Sequence, residues 1–225
     1  MLPWTLIDSS EIPGDGGEMR LYRRGPAEYS IRVGNYELMN NRLYGSEDAM
    51  AQFAVERLEK RPVRVLIGGL GMGFTLARVL EVVDAKSEVV VAELVPAVVK
   101  WNRGPLAEFA GRPLDDPRVS VREEDVGKVI RSERAGFDAI LLDVDNGPTA
   151  LTSKSNDALY GMRGLQATAA ALRPGGVLAV WSAGPDAAFT KRLEHAGFDA
   201  EQIPARGRGK KGGPRYLIWI ARRKK

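Results

Sequence analysis

The sequence predicts an α/β fold in which a mostly parallel sheet of about seven strands carries helices on both faces. The apolar run Val63–Ile67 stops at a glycine cluster and is followed by a helical pattern, which is typical of a strand, a tight loop and a helix. Apolar strands and helical segments then alternate along the chain. The last two strands share a short loop, which predicts an antiparallel hairpin, since a parallel return needs a crossover of a dozen or more residues.

The N-terminal part of the chain has a different pattern. Residues 1–45 contain short β segments broken by Gly and Pro, which predicts a short annex of one or two β-hairpins. Residues 46–225 then form the α/β domain. Its first helix is predicted over Ala49–Glu59, with Ser46 as the N-cap and Pro62 beyond its end.

The glycines after the first strand of the domain are spaced G-x-G-x-G, at Gly69, Gly71 and Gly73. Glycine is needed where the chain turns with positive φ and where backbone N–H groups approach a ligand at a helix N-terminus. A dinucleotide fingerprint would require Gly or Ala at the position of Phe74. The spacing instead resembles the S-adenosylmethionine loop of Rossmann-like methyltransferases, although a plain glycine turn would explain it equally well.

Acidic residues follow the next three strands. Glu88–Glu93 ends in Glu93, about 20 residues after Gly73, where a carboxylate can accept both hydroxyls of a ribose. The segments Asp116–Asp125 and Phe137–Asp143 also end in acids. The carboxyl ends of parallel strands meet at one edge of a sheet, and ligands bind there. The sequence therefore predicts a small-molecule site at this edge.

Asp143 and Asp145 are the candidate catalytic residues. They follow a strand that is apolar throughout, and the desolvation of two carboxylates is a cost that a purely structural role rarely requires. The alternative is that they cap the next loop.

The C-terminal third predicts two helices and three strands. The expected elements are a helix over Asn156–Leu172, a turn at Pro174–Gly176, a strand over Val177–Ser182, a helix over 186–196 closed by Gly197, and strands over Ala200–Ala205 and Tyr216–Ala221. The last strand should lie antiparallel between two neighbours. A terminal antiparallel hairpin on a parallel sheet is the topology of methyltransferases rather than of dehydrogenases.

Six segments together make the chain similar to the spermidine synthase family of Rossmann-like transferases, which use decarboxylated S-adenosylmethionine: VLIGGLGMGFTL, VVVAELVP, DPRVSVREED, FDAILLDVDNGP, NDALY and LRPGGVLAVWS. The resemblance implies a three-layer Rossmann-like methyltransferase sandwich. It also implies a catalytic carboxylate at Asp143, a ribose contact at Glu93 and an adenine contact at Asp125. The cofactor-binding set that follows from it is Gly69, Gly71, Gly73, Glu93, Leu94, Asp125 and Val126.

Two departures from that family leave the reaction open. Met72 stands where the family has an Asp that helps to hold the amine of the cofactor, and the loop after Asp143 is two residues shorter than in the family. Three classes of protein are therefore considered: an aminopropyltransferase acting on a small amine, an S-adenosylmethionine-dependent methyltransferase with an unknown acceptor, and a binder of the nucleoside without activity.

Composition excludes several chemistries. The 225 residues include no Cys and one His, so disulfides, thiol nucleophiles and histidine clusters are excluded, and a metal site is not expected. No apolar run approaches the roughly 18 residues of a membrane span, and no secretory signal is recognisable, which predicts a cytoplasmic protein with no membrane partner. A homodimer is the expected assembly.

The net charge of +4 conceals an asymmetry. Residues 206–225 contain nine of the 33 Lys and Arg residues and no acid, so the remainder has 24 basic and 29 acidic residues. The segment RGRGKKGGPR could bind the phosphates of a nucleic acid or could be a solvated hairpin loop. On the sequence alone we favour the solvated loop.

Overall fold

The computed structural model describes residues 2–14, 17–59, 62–144 and 158–224. An antiparallel sheet lies at the N-terminus, with strand order β1-β2-β3-β4. Its strands are β1 (Thr5–Glu11), β2 (Glu18–Arg24), β3 (Glu28–Val33) and β4 (Tyr36–Asn40). The hairpins predicted for this part of the chain thus pair into one sheet. The predicted division into domains at 45/46 stays a prediction.

The second sheet has seven strands within the described residues, in the order β10-β11-β9-β8-β5-β6-β7. They are β5 (Arg64–Gly68), β6 (Glu88–Ala92), β7 (Val119–Arg122), β8 (Phe137–Leu142), β9 (Leu172–Ser182), β10 (Phe198–Arg206) and β11 (Arg215–Arg223). Strands β5 to β9 pair in parallel, and β11 is antiparallel to both β9 and β10. The predicted mixed sheet and the antiparallel position of the last strand are confirmed.

Helices cover both faces of this sheet. They are α1 (Gly45–Glu56), α2 (Phe74–Val82), α3 (Pro96–Arg103), α4 (Val126–Ser132), α5 (Met162–Ala171) and α6 (Ala187–His195). In β5, Val65 and Ile67 pack with α1 to α3, while Leu66 packs with α4 to α6. Successive side chains of a strand point to opposite faces, so a strand buried on both faces is apolar at every position. The continuous apolar runs in the sequence have this origin.

Helix α1 begins earlier than predicted. Its N-cap is Tyr44, which makes no side-chain capping bond, and Ser46 lies inside the first turn. The hydroxyl of Ser46 donates to Glu47 Oε2 at 2.5 Å. The prediction of Ser46 as N-cap is therefore wrong. A backbone contact satisfies part of the helix start instead, because the N–H of Gly45 donates to the carbonyl of Gly207 at 2.9 Å.

Two further boundaries differ from the sequence expectation. Pro174–Gly176 lies within β9 rather than before it, and the pairing of β9 with β8 shifts register between Phe137 and Ala139. The predicted turn is thus a bulge in a longer strand. Helix α5 begins at Met162, and the predicted helical residues 156 and 157 lie outside the described residues.

Contacts between the N-terminal sheet and α3 hold the two layers together. Asp8 Oδ2 accepts hydrogen bonds from Trp101 Nε1 at 2.9 Å and from Lys100 Nζ at 3.0 Å. These donors lower the pKa of Asp8, the Trp101 bond most. Within the described part of the chain, no helix has the length and apolar character needed to cross a membrane.

Candidate active site

The glycine turn, residues 69–73, leaves the sheet where β5 pairs with both β6 and β8. Gly69, Gly71 and Gly73 have φ of +86°, +54° and +82°, which confirms the predicted left-handed conformation. A Cβ at Gly69 would lie 2.5 Å from the carbonyl oxygen of Asp143. Strand β6 lies on one side of β5 and β8 lies on the other. The turn after β5 therefore stands at the topological switch point, where open α/β sheets bind ligands.

Glu93 lies below the glycine turn, directly after β6. Its Oε2 accepts from the N–H of Leu70 and its Oε1 from the N–H of Val95, both at 2.8 Å. Burial raises the pKa of Glu93, and the surrounding backbone N–H groups oppose that change. Each carboxylate oxygen can accept more than one hydrogen bond. The backbone therefore holds Glu93 rigidly at this edge of the sheet.

The remaining predicted nucleoside contacts lie at the same sheet edge. Asp125 is the N-cap of α4, where its Oδ1 accepts from the N–H of Lys128 at 2.9 Å. Val126 is buried against Gly68, since a Cβ on that glycine would be 2.8 Å from Val126 Cγ2. Leu94 is half-buried beside Glu93. Asp125 thus has a structural task in addition to the predicted adenine contact, which stays a prediction.

A cleft opens next to the glycine turn, and we call it the carboxylate cleft. It is lined by Leu38, Met39, Asn40, Glu47, Leu70, Gly71, Met72, Phe74, Thr75, Asp143 and Trp181. Asp143 comes from the end of β8, and the hydroxyl of the buried Thr75 donates to its Oδ2 at 2.6 Å. Glu47 comes from the first turn of α1. The structure therefore brings together two carboxylates that are far apart in the chain.

The two carboxylates of the cleft hold protons unusually well. Burial and, after it, the charge of Asp143 raise the pKa of Glu47 to about 8, against the opposing effect of the hydrogen bond from Ser46. Burial also raises the pKa of Asp143 to about 6, against the hydrogen bond from Thr75. Perturbed carboxylates in a cleft are typical of acid and base catalysts.

Trp181, which lines the cleft, packs against Tyr216. The rings of Trp181 and Tyr216 are 4.8 Å apart between centroids. Trp181 Nε1 is buried and finds no hydrogen-bond acceptor among the described residues. Burial raises the pKa of Tyr216, and the charges of Glu47 and Glu37 act in the same direction. A residue that lines the cleft thus carries a buried indole N–H without a partner among the described residues.

Sequence reasoning found Asp143 but missed Glu47. The acids in Ser46-Glu47-Asp48 resemble the acidic first turn of an ordinary helix, and no pattern in the sequence links them to β8. Asp145, the other predicted catalytic residue, lies outside the described residues. Within the described ranges, no group of three or more His, Cys, Asp or Glu residues could hold a metal ion.

The glycine turn, the strand-end carboxylates and the antiparallel C-terminal hairpin define a Rossmann-like fold of the methyltransferase type. Residues 46–188 match the spermine/spermidine synthase domain, and the chain belongs to that family. This range includes both carboxylates of the cleft and the whole glycine turn.

Individual relatives agree with this assignment. The polyamine aminopropyltransferase of Mycobacterium tuberculosis (strain CDC 1551 / Oshkosh) is 30% identical over 173 residues, which cover 76% of this chain and 30% of that protein. The chain therefore spans about 30% of the length of this curated relative. The spermidine synthase of Thermotoga maritima has the same fold, with a TM-score of 0.76, 18% identity, and coverage of 96% of this chain and 72% of that one. A spermidine synthase in complex with the transition-state analogue AdoDATO matches with a TM-score of 0.74, 18% identity and the same coverage.

Proposed function

We propose that this protein transfers an aminopropyl group from decarboxylated S-adenosylmethionine to a small amine. The observation that carries the proposal is the pair of carboxylates, Asp143 and Glu47, in one cleft beside the glycine turn. A free alkylamine, like the side chain of lysine, has a pKa of about 10.4 and enters as an ammonium ion. It needs an acidic partner for binding and a proton acceptor before it can attack.

The residues at the strand ends fit the nucleoside part of such a donor. The positive φ angles of the glycine turn leave its backbone open to a close approach, and Glu93 follows β6 directly, where a carboxylate can accept the hydroxyls of a ribose. Asp125 and Val126 stand at the next strand end for the adenine. When bound, the donor would supply an electrophilic carbon beside its sulfonium. A C–N bond to the amine would form as the C–S bond breaks, and methylthioadenosine would leave as a neutral thioether.

The carboxylates divide the work of charge balance and proton transfer. At pH 7 a carboxyl with a pKa of about 8 is mostly protonated, and one with a pKa of about 6 is mostly ionised. The cleft therefore presents about one negative charge, which balances one ammonium group. Asp143, held by Thr75, takes up the proton that the amine releases. Among the described residues lining the cleft, no further acid is present for a second ammonium.

Met72 favours a second candidate, a methyltransferase that uses intact S-adenosylmethionine. The side chain is buried and lines the cleft. The amine of the decarboxylated donor gains no charge partner from a methionine, and the carboxylate of intact S-adenosylmethionine meets no repulsion from it. Positioning of the acceptor in line with the sulfonium would then supply most of the rate enhancement.

Binding and product analysis distinguish these functions. Calorimetry with the two donors measures which one the purified protein prefers, and mass spectrometry identifies products formed with putrescine, cadaverine and spermidine. A product heavier by one aminopropyl group is the expected result. A methylated product would establish the second candidate, and donor binding without any product would leave only a nucleoside binder. The cytoplasmic location and the homodimer stay predictions, and light scattering on the same sample tests the dimer.

A further inference from the structure

The loop between β10 and β11 concentrates positive charge on the surface. We call residues 206–215 the basic loop; its cationic side chains, all exposed, are Arg206, Arg208, Lys210, Lys211 and Arg215. It lies outside residues 46–188, the range that matches the family. None of these cations is among the described residues that line the carboxylate cleft, so the reaction proposed above gives them no task.

Backbone hydrogen bonds give the basic loop a defined shape. The N–H of Arg208 donates to the carbonyl of Gly212 at 2.9 Å, and the N–H of Gly207 donates to the carbonyl of Pro214 at 3.0 Å. The loop is also docked on the start of α1 through the bond from Gly45 to Gly207. A Cβ on Gly45 would lie 2.2 Å from the backbone nitrogen of Gly209. The cations are therefore displayed from a tightly packed backbone.

The cations of the basic loop differ from most others on the surface. Fifteen Lys and Arg residues form ion pairs with acids among the described residues, and none of them belongs to the basic loop. No described acid lies within ion-pair distance of the five side chains of the loop. Their charge is thus not neutralised by the described part of the chain, which leaves it available to an anion.

An exposed aromatic ring lies beside the basic loop. Tyr44 immediately precedes Gly45, the residue bonded to the loop, and has 39% of its surface exposed. Its ring is stacked on Phe74, with centroids 4.3 Å apart and planes inclined by 12°. A ring supported in this way keeps a fixed orientation and can stack a nucleobase.

We propose that the basic loop and Tyr44 form a binding site for single-stranded nucleic acid. Arg and Lys pair with backbone phosphates, and an exposed aromatic ring stacks one base without reading the sequence. The loop contains only Gly, Pro, Arg and Lys, so it offers no large apolar side chain for insertion into a membrane. Solvation alone does not require a loop whose backbone is bonded at both its neck and its tip.

Fluorescence anisotropy with a labelled 20-nucleotide oligouridine RNA, and with an oligothymidine DNA of the same length, tests this site. For single strands the slope of log K against log salt is about −0.7 for each neutralised phosphate, so five cations predict a slope of about −3.5. The triple variant Arg208→Ala, Lys210→Ala, Lys211→Ala should bind at least tenfold more weakly at low salt, with a slope near −1.4. Tyr44→Ala should weaken binding about tenfold with an unchanged slope, whereas Tyr44→Phe should bind normally.

A matched control removes the same charge elsewhere. Lys86, Arg103 and Lys191 are exposed and form no ion pair with the described acids, and the triple variant with Ala at these positions should retain RNA binding. The proposal is wrong if wild-type protein gives no anisotropy change at low salt, or if the control triple loses as much affinity as the loop triple. Sedimentation with phosphatidylserine vesicles, combined with no oligonucleotide binding, would assign the loop to a membrane surface instead.

Discussion

At the glycine turn the buried charge is held by the backbone, whereas in the carboxylate cleft the charges of two separate elements face each other. Both oxygens of Glu93 accept backbone N–H groups. Glu47 and Asp143 each receive one hydroxyl, from Ser46 and Thr75, and each resists ionisation. The half of the site that we propose for the nucleoside is thus fixed by main-chain geometry. The half that we propose for the acceptor depends on a few side chains, so single substitutions should change it.

The largest effect is expected from Asp143→Asn. An amide cannot take up the proton of the acceptor, and loss of a general base typically costs a factor of about 10² to 10⁴ in rate. Donor affinity should change little, because Glu93 and the glycine turn are intact. Steady-state kinetics and donor calorimetry measure the two quantities, with the exposed Asp199→Asn as a control. A variant that retains full turnover would show that Asp143 is not the base.

Glu93→Ala tests the part of the site formed by Glu93 and the glycine turn. The substitution removes the two hydrogen bonds that the ribose hydroxyls of the donor are proposed to give to Glu93. Each contributes about 1.5 to 3 kcal/mol before water compensates for its loss, so donor affinity should fall at least tenfold. Glu88→Ala removes an exposed acid from the other end of the same strand and should bind the donor normally. Unchanged calorimetry for the Glu93 variant would exclude a ribose contact.

Met72→Asp tests the specificity of the cleft for its donor. A carboxylate at this position would face the carboxylate that only intact S-adenosylmethionine carries, and two like charges about 4 Å apart repel by about 1 kcal/mol in a water-like environment. The preference for decarboxylated over intact S-adenosylmethionine should therefore rise about fivefold. Met72→Asn is the control, since it adds polarity without charge. Equal changes in the two variants would show that charge at this position does not select the donor.

The smallest effect is a change in stability with pH. The pKa of Glu47 is about 8 in the folded protein and 4.5 in the unfolded chain. Between these two pH values the folded state binds a proton that the unfolded chain has lost, so the free energy of unfolding decreases as the pH rises from 4.5 to 8. Glu47→Gln should flatten this dependence and raise the Tm at pH 8 by about 2 to 4 °C, which corresponds to about 1 kcal/mol in a chain of this size. Thermal unfolding from pH 5 to 8.5 measures it.

Glu194→Gln, an exposed acid on α6, is the control for this measurement and should keep the pH dependence of the wild type. If Glu47→Gln has the same profile as the wild type, Glu47 is ionised normally in the folded state. The cleft would then present two negative charges to the acceptor.

The parallel core could be predicted because its signals are local. The central strands β5, β6 and β8 are largely apolar on both faces and are followed by glycine or acid, so the order of these elements and the edge that carries Gly69, Glu93 and Asp143 follow from the sequence. The placement of α1 could not be predicted, since it depends on a loop more than 150 residues away in the chain. For the same reason Ser46 was assigned a capping role, and the contribution of Glu47 to the cleft was missed.

The hydrogen bond between Gly45 and the basic loop has a consequence for folding during synthesis, because the two residues are made at very different times. Strands β5 to β8 and their helices are contiguous in the chain, so they can pair as soon as residues up to Leu142 are available. The first turn of α1, although synthesised earlier, lacks its backbone acceptor until residue 207 has emerged. A ribosome-bound chain stopped short of the C-terminal hairpin should therefore possess the nucleoside half of the site before Glu47 is fixed in the acceptor half.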